Sequence, residues 1–189
     1  MFAFLRHLRE VRFMNVMFVK VLLYAYPKLR AIARSVSAAV ENQAVLSFRS
    51  KESALVTAEK IVKEMMLQCN LEHVAEALDR VLERLSEEEL FFLEYKYFRR
   101  NSLLKGKFSG YAPKCCERSY YRKQGVLLQK VHFLSAAQGW TEDRFFEAFG
   151  EFSYFMKLYR ALQNGKEQAI SVRRKKSGIG FQKSACSSE

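Results

Sequence analysis

The stretch SEEELFFLEYKYF, residues 86–98, carries the pattern of a helix together with its start signal. Ser86 is followed three residues later by Glu89, the spacing of a capping box. In that motif the serine hydroxyl accepts from the Glu89 N–H, and the Glu89 carboxylate accepts from the Ser86 N–H. Three glutamates in the first turn suit the positive end of the helix dipole. Apolar residues then recur at helical spacing, at Leu90, Leu93 and Tyr97. We therefore predict an amphipathic helix that ends near Arg99 or Arg100.

The composition of the whole chain favours the same kind of structure. The chain has 189 residues, of which 49% are hydrophobic and 14% aromatic, so it can build a sizeable core. Only two prolines and eight glycines interrupt it, which favours helices over short strands and turns. We predict an all-α, multi-helix fold.

Residues 1–75 are predicted to form an N-terminal helical region. Helical spacing gives a first helix from Met14 to about Phe48, a second from Ser50 to Cys69, and a third from Leu71 to Leu85 capped by Asn70. Pro27 is expected to break the first helix or to lie in a first turn. We interpret the apolar stripe of the second helix as core packing; it consists of Leu55, Ala58, Ile61, Val62, Met65 and Met66.

The segment that follows residue 100 predicts a connector and then another helix. NSLLKGKFSGYAPK, residues 101–114, has room for one helical turn around Leu103 and Leu104. Pro113 disfavours helix in the residue before it, so a new helix should start just after it. Its buried stripe is predicted to contain Tyr120, Leu127, Leu128, Val131 and Leu134. Other side chains of this helix should face elsewhere: Arg118, Tyr121, Arg122 and Gln129.

The C-terminal part of the chain predicts one aromatic helix and a tail. Residues 140–165 are expected to form a single long amphipathic helix, with Thr141 as its cap and Asn164-Gly165 as its end. Its aromatic stripe suits a core, or alternatively a homodimer or partner face through Phe145, Phe149, Phe152 and Tyr159. Residues 166–189 lack apolar periodicity and are expected to be a disordered, flexible basic tail.

Positive charge is concentrated in one block. The net charge of the chain is +12, and residues 96–130 hold ten basic residues and one acidic residue, a net charge of +9. Such a block favours a polyanionic partner, nucleic acid first and a membrane surface second. The alternative is a basic face that is merely solvated.

The residue types of enzymes and metal sites are poorly represented. Cys69, Cys115, Cys116 and Cys186 lie outside any CxxC spacing, and the three histidines lie outside any recognisable catalytic signature. We therefore expect no enzyme activity, no metal and no cofactor. The thiols are expected to be free in a reducing cytoplasm.

The N-terminal segment contains an apolar stretch of the kind that can act as a targeting signal. Its apolar stretch is interrupted by Lys20 and is too short to span a bilayer, so we expect neither a signal peptide nor a membrane span. Met1 and Met14 both remain candidates for the natural start.

The sequences ALDRVLERLSEEELFFLEYKYF and CERSYYRKQGVLLQKV resemble the fourth-region helix-turn-helix of sigma-70-type sigma factors. They resemble still more the stand-alone phage and Gram-positive bacterial regulators of that type. The resemblance covers about residues 76–134 and implies a helix-turn-helix that reads the DNA major groove. It departs from the family in the connector, which lacks the EIA…LG short helix. Residues 1–75 also show no counterpart of the sigma region that grips polymerase.

The resemblance implies roles for particular residues. Cys116 takes the cap position, and Tyr120 and Leu127 take core positions. The groove-facing positions fall to Glu117, Arg118, Tyr121 and Arg122, since arginine pairs with guanine and glutamate accepts from cytosine. Phosphate contacts are expected from Arg99, Arg100, Lys105, Lys107 and Lys114.

Three hypotheses for function follow. The first is a DNA-binding transcriptional regulator of double-stranded DNA, with RNA polymerase as a candidate partner. The second is a helical protein-interaction module that binds polymerase or another regulator through the aromatic C-terminal face. The third is RNA binding, because tyrosines interleaved with basic residues can stack on unpaired bases.

Overall fold

The computed structural model describes residues 16–47, 53–111 and 117–165, with the backbone alone at Glu117. These residues form seven α-helices, one π-helical turn and no strand, which confirms the predicted all-α class. The α-helices are α1 Met17–Ser47, α2 Ala54–Leu82, α3 Glu87–Leu93, α4 Asn101–Lys105, α5 Glu117–Ala137, α6 Glu142–Phe149 and α7 Ser153–Gln163. The π-helix, Glu94–Phe98, continues α3 without a break. The predicted tail, 166–189, lies outside the described residues.

Helices α1 and α2 form a long antiparallel hairpin. The Tyr26 hydroxyl donates to Asp79 at 2.7 Å, and Arg30 forms an ion pair with the same carboxylate at 2.5 Å. The start of α2 is capped by Ser53, whose side chain accepts from the Val56 N–H at 3.4 Å. The end of the hairpin where α1 ends and α2 begins is called the tip. Helices α3 to α7 follow from the opposite end, after Leu82.

The predicted break at Pro27 is wrong, because α1 runs through it from Met17 to Ser47. A proline inside a helix removes one backbone hydrogen bond. Burial of Leu23 and Leu29 on either side of Pro27 anchors the helix there in the core. Tertiary packing therefore outweighs the local cost of the proline.

The predicted boundary at Asn70 is also wrong, because α2 continues through this position to Leu82. The Asn70 side chain does not cap a helix; its oxygen accepts from Arg144 of α6 at 3.5 Å. Leu71 and Ala75 are buried in the same face as Thr57, so one packed face persists across the expected boundary.

The core interpretation of the α2 stripe is wrong for most of its members. The exposed side chains of α2 include Leu55, Val62, Met65 and Met66. The buried side of the helix passes instead through Thr57, Leu71 and Ala75. Helical spacing alone fits either side of this part of α2. Only the side with Thr57 faces the core, and the predicted stripe lies on the other side.

The predicted single helix over residues 140–165 is in fact two helices, α6 and α7. The chain turns at Gly150, where a Cβ atom would lie 2.5 Å from the Phe146 carbonyl oxygen. The turn lets aromatic rings of the two helices meet, with the centroids of Phe149 and Phe155 4.4 Å apart. Stacked aromatic rings gain more than their buried area alone provides.

The predicted partner face on this segment is largely buried in the chain's own core. Phe145 and Phe149 are fully buried and Tyr159 nearly so, while Phe152 is half-buried. Trp140 stacks on Phe149 with ring centroids 5.7 Å apart. Core packing is therefore correct for Phe145, Phe149 and Tyr159. A homodimer or partner contact through this face stays a prediction, with Phe152 as its most exposed member.

Candidate nucleic-acid interface

The first turns of α5 divide as predicted into an exposed side and a buried side. Arg118, Tyr121 and Arg122 are exposed within a little more than one turn, and neither arginine makes an ion pair with a residue that the structure describes. Tyr120, next to them, is buried against Phe92 with ring centroids 5.4 Å apart. Burial raises the pKa of Tyr120 to about 12. The buried stripe continues through Leu127, Leu128 and Val131, while Leu134 is half-buried.

The start of α3 anchors this region from behind. The capping box is confirmed, because the Ser86 N–H donates to Glu89 at 2.8 Å and the Glu89 N–H donates to the Ser86 hydroxyl at 3.3 Å. The three glutamates of the first turn each hold one lysine: Glu87 with Lys107 at 3.4 Å, Glu88 with Lys123 at 2.7 Å and Glu89 with Lys130 at 2.7 Å. Two of these lysines belong to α5, so the ion pairs join α3 to α5.

Glu89 takes part in both the capping box and an ion pair. Partial burial opposes its ionisation, but hydrogen bonds from Lys130 and from the Ser86 N–H together lower the pKa of Glu89. The carboxylate is therefore ionised at neutral pH and stabilises the contact between α3 and α5.

Arg100 makes contacts inside the fold, and its predicted phosphate contact stays a prediction. Its guanidinium hydrogen-bonds both carboxylate oxygens of Glu94, which is only 2% exposed. The same guanidinium lies 5.3 Å from the ring centroid of Phe98 and 5.7 Å from that of Tyr26. Removing this cation would leave a buried carboxylate without its partner, so Arg100 is committed to the fold.

The remaining predicted phosphate contacts lie in different surroundings. Arg99 ends the π-helix in the left-handed conformation at φ 51° and is partly exposed. Lys105 is exposed in the last turn of α4, and Lys107 is exposed but paired with Glu87. Lys114 lies outside the described residues, as does the side chain of Glu117. Of these five, Arg99 and Lys105 are the cations that the structure describes without an ion pair to a described carboxylate.

The connector contains the predicted single helical turn around Leu103 and Leu104. After it, Phe108 is buried against Phe91, with ring centroids 5.8 Å apart. From Lys105 to Glu117 the connection is longer than the three or four residues that join the helices of most helix-turn-helix motifs. Residues 112–116, including the predicted cap Cys116, are not described.

Sequence reasoning missed a polar cavity of about 660 Å³ between α1, α2 and the start of α4. Tyr26, Arg30, Asp79 and Arg100 line it. Burial and the hydrogen bond to Asp79 raise the pKa of Tyr26 to about 12. The spacing of Tyr26 and Arg30 by four residues places them on one helix face, but nothing in the sequence indicates that Asp79 meets them. Arg30 pairs with Asp79 and Arg100 pairs with Glu94, so three of the charged residues that line the cavity serve contacts within the fold, and Glu83 lines it as well.

Gly125 lies on the exposed side of α5. A Cβ atom built there would meet no atom within 4 Å, so the glycine is not needed for packing inside the chain. Glycine in a helix interior costs about 1 kcal/mol relative to alanine. Its presence on this face leaves room for a close approach by something outside the chain.

Three further observations concern metal ligands and membrane spans. Within the ranges that the structure describes, no three His, Cys, Asp or Glu side chains gather where they could hold a metal ion. The Cys69 sulfur lies 3.9 Å from the His73 Nε2 atom, a pair on one helix face. None of the described helices is long and apolar enough to cross a membrane.

Comparison with protein-family models, curated proteins and solved structures gives no match for this chain. The resemblance to sigma region four therefore rests on the residues quoted above. The structural basis for a function is the geometry of α5 and of the helices that pack against it.

Proposed function

We propose that the chain is a DNA-binding transcriptional regulator that reads double-stranded DNA with the first turns of α5. The observation that carries the proposal is the joint exposure of Arg118, Tyr121 and Arg122 on a helix held firmly from behind. A recognition helix requires both properties: exposed side chains that reach base edges and a buried stripe that fixes the orientation of the helix.

The two arginines are assigned to base readout. The planar guanidinium donates two parallel hydrogen bonds to guanine O6 and N7, so it discriminates between bases as well as attracting phosphate. Tyr121 assists from the same turn through its hydroxyl and ring. Glu117 is included in this set by its position in the sequence.

Phosphate contacts are assigned to the cations beside α5 that form no ion pair with a described residue. Arg99 lies close enough to Tyr120 to influence its pKa, which places it near the first turns of α5. Lys105 is exposed on α4, and Lys114 joins them by its position in the sequence. Lys107, Lys123 and Lys130 are engaged with glutamates, so we expect them to add little to the salt dependence of binding.

The experiment begins with selection of target sites from random duplex DNA with the full chain. Affinity of the selected site is then measured for Arg122→Ala, Arg118→Ala and the control Arg160→Ala, an exposed arginine on α7. We expect each of the first two to lose about 1–3 kcal/mol and to relax specificity at one base pair, while the control binds normally.

Unchanged affinity and selectivity of Arg122→Ala would overturn the readout assignment. Absence of duplex binding even at low salt would overturn the proposed function. Competition with single-stranded RNA separates duplex readout from stacking on unpaired bases, for which Tyr111 and Tyr121 are exposed.

A further inference from the structure

The outward face of α2 near the hairpin tip is apolar and exposed. Leu55 is 71% exposed, Val62 and Met65 are each 53% exposed, and Met66 is 61% exposed. Ala58 and Cys69 are exposed on the same face. Single exposed apolar residues are normal on a protein surface, but a continuous row of this size marks an interaction site.

The spacing of this row is that of a coiled-coil seam. Leu55, Val62 and Cys69 recur every seven residues, and Ala58 and Met65 each follow three residues after a member of that series. Positions a and d of a heptad have this spacing. The opposite side of α2 is the one that packs on α1, so the row, here called the α2 seam, remains for a second helix.

We propose that the α2 seam binds the α2 seam of a second copy of this chain in an antiparallel dimer. Knobs-into-holes packing requires a partner helix with the same repeat, and the second copy supplies one. Two α1–α2 hairpins joined in this way make a row of four helices with the two α2 helices at its centre. A two-fold axis makes the contact self-complementary.

Residues 166–189 contain six basic and two acidic residues and have no apolar heptad repeat. This sequence offers no row of side chains that would fill the holes between Leu55, Val62 and Met65, whereas a second copy of the seam does.

The charges around the seam favour a like partner over a strongly charged one. By the same heptad count only Glu59 lies beside the seam, while Lys60, Lys63 and Glu64 lie on other sides of α2. The four charges sum to zero, so two copies of this segment approach without net repulsion. The basic block of the chain lies elsewhere, in residues 96–130, and gives the tip no attraction for an acidic partner.

The position of the remaining helices favours the antiparallel arrangement. The body of the protein reaches α2 at Asn70, where Arg144 of α6 makes its contact, immediately beyond the end of the seam. A parallel pair would bring the remaining helices of both copies side by side at the same end. In the antiparallel pair they lie at opposite ends, with Ala58 of one helix beside Cys69 of the other and Val62 beside Met65.

The first test is the mass of the full chain in solution, measured by light scattering after gel filtration across a dilution series. We expect about twice the chain mass of 22.1 kDa for the wild type and a single chain mass for Val62→Lys/Met65→Lys. Both substitutions are at exposed positions, so helix content measured by circular dichroism should remain that of the wild type. The control Val126→Lys changes an exposed valine on α5 and should stay dimeric.

A wild-type monomer at every concentration would overturn the proposal and leave the seam to a different protein. So would a dimer that survives Val62→Lys/Met65→Lys unchanged. The dimer does not depend on DNA binding, and the mass is measured without DNA. Failure of this inference and failure of the proposed function are therefore distinguishable.

A cross-linking test checks the arrangement. The background is a chain in which the other three cysteines are replaced by serine. In it, Cys69 alone should form no disulfide-linked dimer on mild oxidation, whereas Ala58→Cys together with Cys69 should form one rapidly. The reason is that a disulfide needs the two Cβ atoms within about 4.5 Å. Efficient linkage through Cys69 alone would overturn the antiparallel arrangement. A dimer that links in neither case would overturn the stated register.

Discussion

Arg100 and Glu94 form a pair that joins the two ends of the π-helix. Glu94 begins this turn and is buried, while Arg100 lies just beyond it and hydrogen-bonds both carboxylate oxygens. The Arg99 N–H also donates to the Glu94 carbonyl oxygen at 2.7 Å. The side chain and the backbone carbonyl of Glu94 therefore both stabilise the end of the π-helix, where the connector to α5 begins.

We expect Arg100→Ala to destabilise the fold by about 3 kcal/mol, because it leaves the buried Glu94 carboxylate unpaired. Urea unfolding at neutral pH measures the loss. The matched control is Arg160→Ala, which removes an exposed arginine and should change stability by less than about 0.5 kcal/mol. Equal stability of the two variants would contradict the structural role of Arg100.

Gly125→Ala is expected to stabilise the folded chain by up to about 1 kcal/mol. A Cβ atom at this position meets no atom within 4 Å, so the gain in helix propensity is not offset by a clash. The same measurement on Gly150→Ala gives the contrast, since its Cβ would lie 2.5 Å from a backbone oxygen. Destabilisation by Gly125→Ala would show that this face of α5 is packed in the wild type.

His132 gives a prediction for pH dependence. Burial lowers the pKa of His132 below the ordinary value of 6.5, and its ring packs edge-on against Phe18 at a centroid distance of 5.4 Å. The unfolded chain therefore binds a proton more readily than the folded chain. The stability that comes from keeping this ring neutral is complete above pH 6.5 and is lost as the pH falls through 6.5 towards the lower folded value.

Unfolding free energies at pH 7.5 and pH 5.5 test this effect. The decrease between the two pH values should become smaller in His132→Gln. The control His73→Gln, at an exposed histidine, should keep the decrease of the wild type. A wild type whose stability is the same at both pH values would contradict the prediction.

Glu89 is expected to contribute at higher pH and to lose its contribution in acid. Its pKa is lowered from 4.5 by the hydrogen bonds from Lys130 and Ser86, against the opposing effect of burial. The contribution is therefore present above pH 4.5 and is lost as the pH falls through the folded value. Glu89→Gln should destabilise the chain at pH 7, and the difference from wild type should shrink near pH 3.

Ser86→Ala tests the other half of the capping box. It should cost about 1 kcal/mol in the same unfolding measurement, and this cost should depend little on pH. A strong pH dependence of the Ser86→Ala effect would mean that the serine acts mainly through the ionisation of Glu89.

Several local features were predictable because their causes lie within a few residues. The start of α3 at Ser86 depends on one side chain that meets a backbone group three residues away. The end of this helical stretch near Arg99 and the single turn of α4 follow from the loss of the apolar repeat. The division of α5 into Tyr120 on the inside and Arg118 and Arg122 on the outside follows from helical periodicity.

The misjudged features depend on parts of the chain that are distant in sequence. Pro27 stays inside a helix because its neighbours are buried against other elements. The α2 stripe was assigned to the core although it is exposed, because periodicity identifies an apolar face without stating whether the chain itself covers it. The pairing of Arg100 with Glu94 could not be predicted either, because it depends on a π-helix that no local propensity indicates.

The π-helix also makes this part of the chain sensitive to length. A π-turn holds one residue more than the α-helical turn it replaces, since its hydrogen bonds close over five residues instead of four. Deleting Lys96 would allow the segment to relax into a regular α-helix. The α-helical turn would then hold one residue fewer than the π-turn, so the residues after it would keep nearly the same orientation relative to α3. Arg100 would stay near Glu94 and the connector would start in nearly the same direction, so we infer that this turn tolerates the loss of one residue better than the addition of another.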